Sequence, residues 1–215
     1  MKVLKMKLFQ ETACYKKPFA YKVAETYPLP PYSTVIGMFH KILQAKNGEY
    51  FPMEVSVQGR YENIFSNYQT LRMYKKNKVT SMPRNVHQLL NVELVIHVCA
   101  QDEIIDKIYY NVTHGVETFT LGRNEDIVRL DDIKICEQMQ ELDEGILQYN
   151  AYIPSENREL NGIKYRIPTT YTIQNELRIW NKENVKYVEK GKTIEEVLQD
   201  EDGDLVFLAN KESNL

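Results

Sequence analysis

The stretch TYPLPPYSTVIGMFHKIL, residues 26–43, decides how the rest of the chain is read. Pro28, Pro30 and Pro31 fix φ and hold an extended run that cannot be helical. Ser33 follows as a natural N-cap, and Val35, Phe39, Ile42 and Leu43 then recur at helical spacing. Gly37, in the first turns, costs about 1 kcal/mol relative to alanine, a cost that fits a close approach to the backbone. A helix opening this way offers free N–H groups and a partial positive charge, which suit a phosphate. An ordinary loop leading into a core helix has the same local sequence, so both readings stand here.

Before this stretch, Val3 to Phe9 alternates, with Leu4, Met6 and Leu8 on one face and Lys5 and Lys7 on the other, as in a half-buried strand. After it, Met53, Val55 and Val57 alternate with polar residues in a second strand. Residues 65–91 lose any clean period and collect Arg72, Lys75, Lys76, Lys78, Pro83 and Arg84, the pattern of a long hairpin or arm. Val92 to Cys99 is apolar on both faces, a central covered strand. Ile104, Ile105, Ile108, Tyr109 and Val112 form a helical stripe capped near Asp102. The turn Thr120–Asn124 then precedes a strand from Ile127 to about Ile135.

This order predicts an α+β chain with a ferredoxin-like (RRM-like) βαββαβ domain over residues 1–140, carrying an inserted β-hairpin at about 65–91. Residues 141–215 are expected to form a small antiparallel β-rich region. Its short strands would be Ile146–Ile153, Ile163–Ile173, Leu177–Trp180 and Val185–Val188, with a hairpin turn at 181–184. Thr193 to Glu196 has capping-box form ahead of a turn or two of helix. Asp200 to Asp204 is an acidic loop, and Leu205 to Leu208 a final strand.

At 215 residues, 43% hydrophobic and 27% charged, the composition is that of a soluble folded protein of one large domain or a domain with an appendage. No apolar run is long enough to span a membrane, and the N-terminal residues do not form a signal peptide. Cys14, Cys99 and Cys136 are odd in number and contain no CxxC pair, which predicts unpaired thiols, no metal and a cytoplasmic location. The net charge is −3, but residues 1–100 carry 14 Lys+Arg against 6 Asp+Glu while residues 101–215 carry 13 against 24. Balances of +8 and −11 in the two halves point to an anion track on an otherwise acidic protein.

These segments together carry a resemblance. YPLPPYSTVIGMFHKIL after a first strand, a basic arm ending in MPRNVHQLLNVELVIHV, and then FTLGRNEDIVRL resemble the CRISPR-associated protein 5 (Cas-five) family of the RAMP superfamily. The likeness is to its type I-B branch, and it extends to IKYRIPTTYTI, VKYVEK and DGDLVFL near the end. The resemblance implies a ferredoxin-like domain whose inserted hairpin acts as a thumb. It also implies a subunit of a Cascade-type surveillance complex that holds the 5′ handle of the CRISPR RNA. Such a subunit joins backbone subunits to the large subunit in antiviral defence and meets target DNA only through the complex.

The third strand, VELVIHV, lacks the basic-Gly-aromatic run by which RNA-recognition modules stack bases on a sheet. RNA is therefore expected on the arm, the first loop and the first helix rather than across the sheet. The expected contacts are Arg72, Tyr74, Lys75, Lys76, Met82, Arg84 and His87 on the arm, with Tyr15, Lys16 and Lys17 on the first loop. Tyr32, Ser33 and Gly37 at the helix start and Arg123 of the LGR turn complete the set. Lys and Arg on phosphates fix position and make binding salt-dependent, while Met73, Tyr74, Met82 and His87 are available as wedges between bases. Arg84 has the strongest claim, because Pro83 limits the local chain and its planar fork suits phosphate. His87 serves equally as an RNA contact or a local hydrogen-bonding group, Met82 equally as a lid on its own domain, and the Gly122-Arg123 turn serves packing more than RNA.

No HExxH, GxxxxGKS/T or GxSxG pattern is present, and His97 on its strand reads as core. The resemblance to the type I-B branch, in which a separate processing subunit would be expected to cut, implies a non-catalytic protein, and no cofactor is expected. The rival is a metal-independent endoribonuclease processing precursor CRISPR RNA, as in relatives of the type I-C branch, for which Tyr15, Tyr27, Tyr32, Lys16, Lys17 and His87 supply the chemical types. A third reading is an adaptor whose acidic segments 125–144 and 193–215 meet basic partner surfaces.

Overall fold

The alternating apolar residues of the first strand start a long antiparallel sheet. A computed structural model describes residues 2–18, 20, 22–76, 78–115, 118–155 and 160–209. In chain order its elements are β1 (Val3–Ala13), β2 (Val23–Ala24), α1 (Tyr32–Ile42), β3 (Glu54–Arg60), β4 (Asn63–Lys75), β5 (Lys78–Cys99) and α2 (Asp102–His114). There follow β6 (Phe119–Thr120), β7 (Ile127–Cys136), β8 (Met139–Ile146), β9 (Asn150–Pro154), β10 (Ile163–Gln174), β11 (Leu177–Val188), β12 (Thr193–Asp200) and β13 (Leu205–Val206). The large sheet runs β10-β11-β9-β3-β5-β1-β7-β6, with β2 and β4 also paired to β5, and a small sheet runs β13-β12-β8.

At its centre β1 pairs antiparallel with both β5 and β7, and β3 with β5. Leu4, Met6, Val55, Val57, Ile96 and Val98 project to one side, where they meet Val35, Phe39 and Ile42 of α1 and Ile105 and Ile108 of α2. Each such side chain contributes about 1.5–3 kcal/mol when fully buried. The opposite side is covered by the small sheet, through a second core of Leu147, Ile153, Val188, Ile194, Val197, Leu205 and Phe207. The C-terminal strands continue the large sheet through pairs between β3 and β9 at Gln58 and Gly59.

Several local expectations are corrected. The helix starts one residue before Ser33, with Pro31 at the N-cap (φ −65°, ψ 152°) and no side-chain cap. Tyr32 is drawn into the core against Tyr152, which fixes that start. Gln101, not Asp102, caps α2. The segment expected as one strand over Ile146–Ile153 is divided between the end of β8 and the start of β9. β11 is continuous through 181–184, and its hairpin turns at Asn175 and Glu176 instead, with φ of 49° and 62°. Two successive positive φ values match the twist of the paired strands, and the polar residues 181–184 belong to a strand partly open to water. Thr193 to Asp200 is a strand, not a helix, because Ile194 and Val197 close the second core.

The largest correction is on β1. Lys5 was expected at the surface beside Lys7, yet its side chain is fully buried. The loop after β12 folds back over it, so its ammonium lies 2.5 Å from Asp200, 2.8 Å from Asp202 and 2.5 Å from Asp204. His97, also fully buried, meets Asp200 through Nε2 at 3.0 Å. Burial opposes ionisation of Asp200, but the hydrogen bonds with His97 and Lys5 outweigh it and hold the carboxyl well below the usual carboxylate range. Asp200, Asp202 and Asp204 converge like cation ligands, as do His97, Cys136 and Asp200. In the first group the Lys5 ammonium already takes the place of the cation. Cys14, Cys99 and Cys136 are free and buried, and burial pushes the Cys136 thiol up to about 11.

Candidate nucleic-acid interface

β5 is a 22-residue strand of which only the C-terminal part is core. Its N-terminal half leaves the sheet with β4 as an antiparallel ribbon, in continuous register from Asn63↔Leu90 to Lys75↔Lys78. Thirteen residues of β4 at about 3.3 Å each make an arm of about 40 Å. Ile64, Phe65, Tyr68, Leu71, Met73, Tyr74, Val79 and Met82 are all exposed on it. So many bare apolar and aromatic side chains on a projecting ribbon mark an interaction surface.

Residues directly opposite each other on an antiparallel pair share a face, and the register divides the expected contacts between two faces. Lys75, Met82 and Arg84 lie on one, beside Lys78, Leu71 and Gln69. Arg72, Tyr74 and His87 lie on the other, beside Ser81, Val79 and Ser66. Lys76 is exposed at the turn. Arg72, Tyr74, Lys75 and Met82 are likewise exposed, whereas Arg84 and His87 are half-buried. Residue 77 is outside the described residues.

At the arm's root the first loop packs along β5 through β2, with Val23 opposite Asn85 and Ala24 opposite Val86. Arg84 Nη2 donates to the Ala20 carbonyl at 2.9 Å, so this guanidinium ties the loop to the arm. Lys16 is exposed, and Lys17 pairs with Glu25 at 3.3 Å. Ser33 is half-buried in the first turn of α1, and Gly37 is exposed with nothing within 4 Å of where a Cβ would stand. Among the described residues nothing approaches Gly37 closely enough to require a glycine.

Two expected contacts are core residues. Tyr15 is 1% exposed and donates to Gln10 Oε1 at 2.6 Å. Tyr32 is fully buried, with its ring edge-on to Tyr152. Tyr27, also buried, meets Tyr165 edge-on, and Tyr165 in turn meets Tyr152 and Tyr187. This tyrosine cluster joins the first loop to the C-terminal strands, a role local sequence does not reveal. Burial raises the hydroxyl pKa of Tyr15, Tyr27 and Tyr32 above the ordinary value.

Arg123 is half-buried and committed within its own turn. Its Nη2 donates to Asp126 Oδ1 at 2.7 Å and its backbone N–H to Asp126 Oδ2 at 2.8 Å. The same carboxylate accepts from the Cys14 N–H at 3.1 Å. Gly122, at φ 111°, has Asp126 Oδ2 2.8 Å from where a Cβ would stand. The LGR turn thus locks the end of β1 to the start of β7.

No helix among the described residues is long and apolar enough to cross a membrane. The chain matches the family described as CRISPR-associated protein (Cas_Cas5) over residues 3–191. No curated protein sequence matches it significantly. A solved chain described as "CRISPR RNA-guided surveillance complex" superposes with a TM-score of 0.65 at 11% identity, over 89% of this chain and 91% of that one. A CRISPR protein from Archaeoglobus fulgidus does so with a TM-score of 0.52 at 12% identity, over 97% of this chain and 99% of that one. At these identities the likeness is one of fold alone.

Proposed function

We propose a function from one premise: the chain belongs to the CRISPR-associated Cas5 family, which it matches over residues 3–191. On this reading it is a non-catalytic, cytoplasmic CRISPR RNA-binding subunit of a type I (I-B-like) Cascade surveillance complex. It holds the 5′ handle of the CRISPR RNA and bridges the backbone and large subunits, meeting target DNA through the assembled complex. The central order β7-β1-β5-β3, with both helices on one face, supports the ferredoxin-like βαββαβ plan. Residues 1–140 form that unit, with the arm at about 65–91 as its thumb and 141–215 as a β-rich addition.

The observation that carries the reading is the arm, whose cations and apolar side chains face solvent on both sides of the ribbon. Lys75, Lys78 and Arg72 would hold phosphates, and Tyr74 and Met82 would lean on bases. Lys16 and Lys17 supply secondary charge from the loop that Arg84 anchors. The half-buried Ser33 and the exposed Gly37 would line a seat for the RNA's 5′ end. The Thr34 and Val35 N–H groups already bond the Pro31 carbonyl, which leaves those of Tyr32 and Ser33 as the first-turn donors.

The ribonuclease alternative draws on the hydroxyls of Tyr15, Tyr27 and Tyr32 alongside Lys16, Lys17 and His87. Tyr15, Tyr27 and Tyr32 are all buried, and burial pushes their pKa values away from neutrality. A general acid or base works best with a pKa near the operating pH and within reach of its substrate, so these observations favour binding without cleavage.

The test is fluorescence anisotropy of a repeat-derived RNA titrated with full-length protein across a salt series. Removing Arg72, Lys75 and Lys78 together should weaken binding and flatten the plot of log K against log salt by roughly 0.7 per lost phosphate contact on a single strand. An unchanged affinity and slope would refute the arm as the grip. Specific cleavage of the same RNA in EDTA, abolished by His87→Ala, would instead establish the ribonuclease.

A further inference from the structure

At the other end of the large sheet a second ribbon, β10 with β11, carries two unlike faces. On one, Ile167, Val185 and Tyr187 enter the main core, with Tyr165 packed against them. On the other, the register places Lys164 beside Lys186, Arg166 beside Asn184 and Pro168 beside Lys182. Past an irregularity in β10 the same face continues with Tyr171 beside Trp180 and Ile173 beside Arg178. No residue of this face is acidic, although residues 101–215 carry 24 Asp+Glu against 13 Lys+Arg.

Lys164, Arg166, Arg178 and Lys182 are exposed, and none makes an ion pair or hydrogen bond among the described residues. Lys186 is different, because its Nζ donates to the Leu160 carbonyl. Tyr171 and Trp180 are 42% and 40% exposed, with ring centroids 5.2 Å apart. The Arg178 guanidinium lies 4.6 Å from the centroid of the Tyr171 ring. Alternating cations lead along about 30 Å of ribbon to an aromatic platform, with no carboxylate paired to Lys164, Arg166, Arg178 or Lys182 among the described residues.

We propose that this face of the β10/β11 ribbon is a second binding surface for single-stranded RNA, separate from the arm. Lys164, Arg166 and Lys182 take successive phosphates, and Tyr171 and Trp180 stack bases at the outer end. Aromatic stacking plus a cationic track is the means by which single strands are held without sequence readout. A protein partner would also favour exposed Tyr, Trp and Arg. Four cations unpaired among the described residues, with no carboxylate on the same face of the ribbon, point to a polyanion instead. The choice of RNA rests on the RNA-binding reading of the arm.

Trp180 is the sole tryptophan of the chain, so its fluorescence reports this surface alone. Full-length protein is titrated with a short oligouridylate while tryptophan emission is read, and separately with repeat-derived RNA by anisotropy. Saturable quenching is expected. Tyr171→Ala should weaken the quenching titration about 5- to 150-fold, the range corresponding to one lost base stack. The exposed triple change Lys164→Glu, Arg166→Glu and Lys182→Glu should weaken it at least about tenfold and steepen its loss with salt less, because fewer phosphates are neutralised. Removing Arg72, Lys75 and Lys78 on the arm should leave quenching intact.

Tryptophan emission that does not respond to oligouridylate, while anisotropy reports arm-dependent binding, overturns the second surface and leaves the proposed function standing. Quenching with no arm-dependent anisotropy does the reverse. Quenching that survives the triple charge reversal, or that is stronger with the oligodeoxyuridylate or with an acidic peptide, also overturns the assignment.

Discussion

Replacing Lys5 with methionine tests the buried charge cluster that joins the first strand to the end of the chain. The Lys5 ammonium is within 2.5 Å of two carboxylates, those of Asp200 (side chain fully buried) and Asp204 (10% exposed), and 2.8 Å from the more exposed Asp202. Methionine fills a similar volume but removes the ammonium, leaving Asp200 with His97 at 3.0 Å, Asp204 with Lys7 at 3.6 Å and Asp202 with Lys134 at 2.5 Å. Breaking a buried pair by removing one partner costs about 3–5 kcal/mol; with two close, buried partners the loss should be about 4 kcal/mol. That is a large share of the roughly 5–15 kcal/mol typical of a folded domain.

The pH dependence should change sign. In the parent protein the Asp200 carboxyl is depressed on folding, so its contribution is complete above about pH 4 and is lost as pH falls further. Lys5 is raised, its three carboxylate bonds outweighing burial, so its contribution is complete below about pH 10 and is lost at higher pH. Without Lys5 the buried Asp200 carboxylate keeps its burial penalty but loses an opposing charge, so its carboxyl moves up from its depressed position and stability should rise as pH is lowered from 7 to 5. Urea unfolding at both pH values reads this directly. A Lys5→Met protein within 1 kcal/mol of the parent at pH 7, or one no more stable at pH 5 than at pH 7, would refute the reasoning.

Three further outcomes follow from contacts already described. In Gly59→Ala the new Cβ would fall on the Glu93 carbonyl oxygen and 2.7 Å from Leu94 Cδ2, so urea unfolding should show a loss of about 1–3 kcal/mol. Tyr15→Phe removes the donor to Gln10 Oε1 and should cost about 1–3 kcal/mol by the same assay, while RNA affinity at permissive temperature stays unchanged. Arg84→Ala releases the Ala20 carbonyl and should speed amide exchange in residues 14–26. Arg72→Ala, on the exposed opposite face, should alter neither that exchange nor stability by more than about 0.5 kcal/mol.

Elements governed by local periodicity were legible without coordinates. The alternation of β1, the apolar run at 92–99 and the stripe of α2 all appear where their sequences put them. So does the arm, because residues 65–91 combine charge, aromatics and a proline with no buried period. Local chemistry misled at Thr193–Glu196, where a capping-box pattern lies in a strand. It misled again at 181–184, where turn-forming residues continue β11 past the actual turn. In both places long-range pairing outweighed local preference. Of the acidic segment 193–215 assigned to partner surfaces, Asp200 and Asp204 instead serve the protein's own interior, and residues 210–215 lie outside the described residues.

The candidate contacts divided along the same line. Exposure of Arg72, Lys75 and Lys76 follows from a charged segment with no buried period, which the sequence alone determined, whereas Arg84 of the same segment is half-buried and bonded to the Ala20 carbonyl. Whether Tyr32 or Lys5 faces water depends on residues more than a hundred positions away, Tyr152 and the loop after β12, and Tyr15 is held through Gln10, which bonds the distant Leu121 and Asp126 carbonyls. Periodicity assigns a side chain to one face of a strand, but it does not say whether that face is open or covered. Only the tertiary structure decided that Lys5 is a buried counter-ion, that the tyrosines of the first loop are core, and that the β10/β11 ribbon keeps a basic, aromatic face open to solvent.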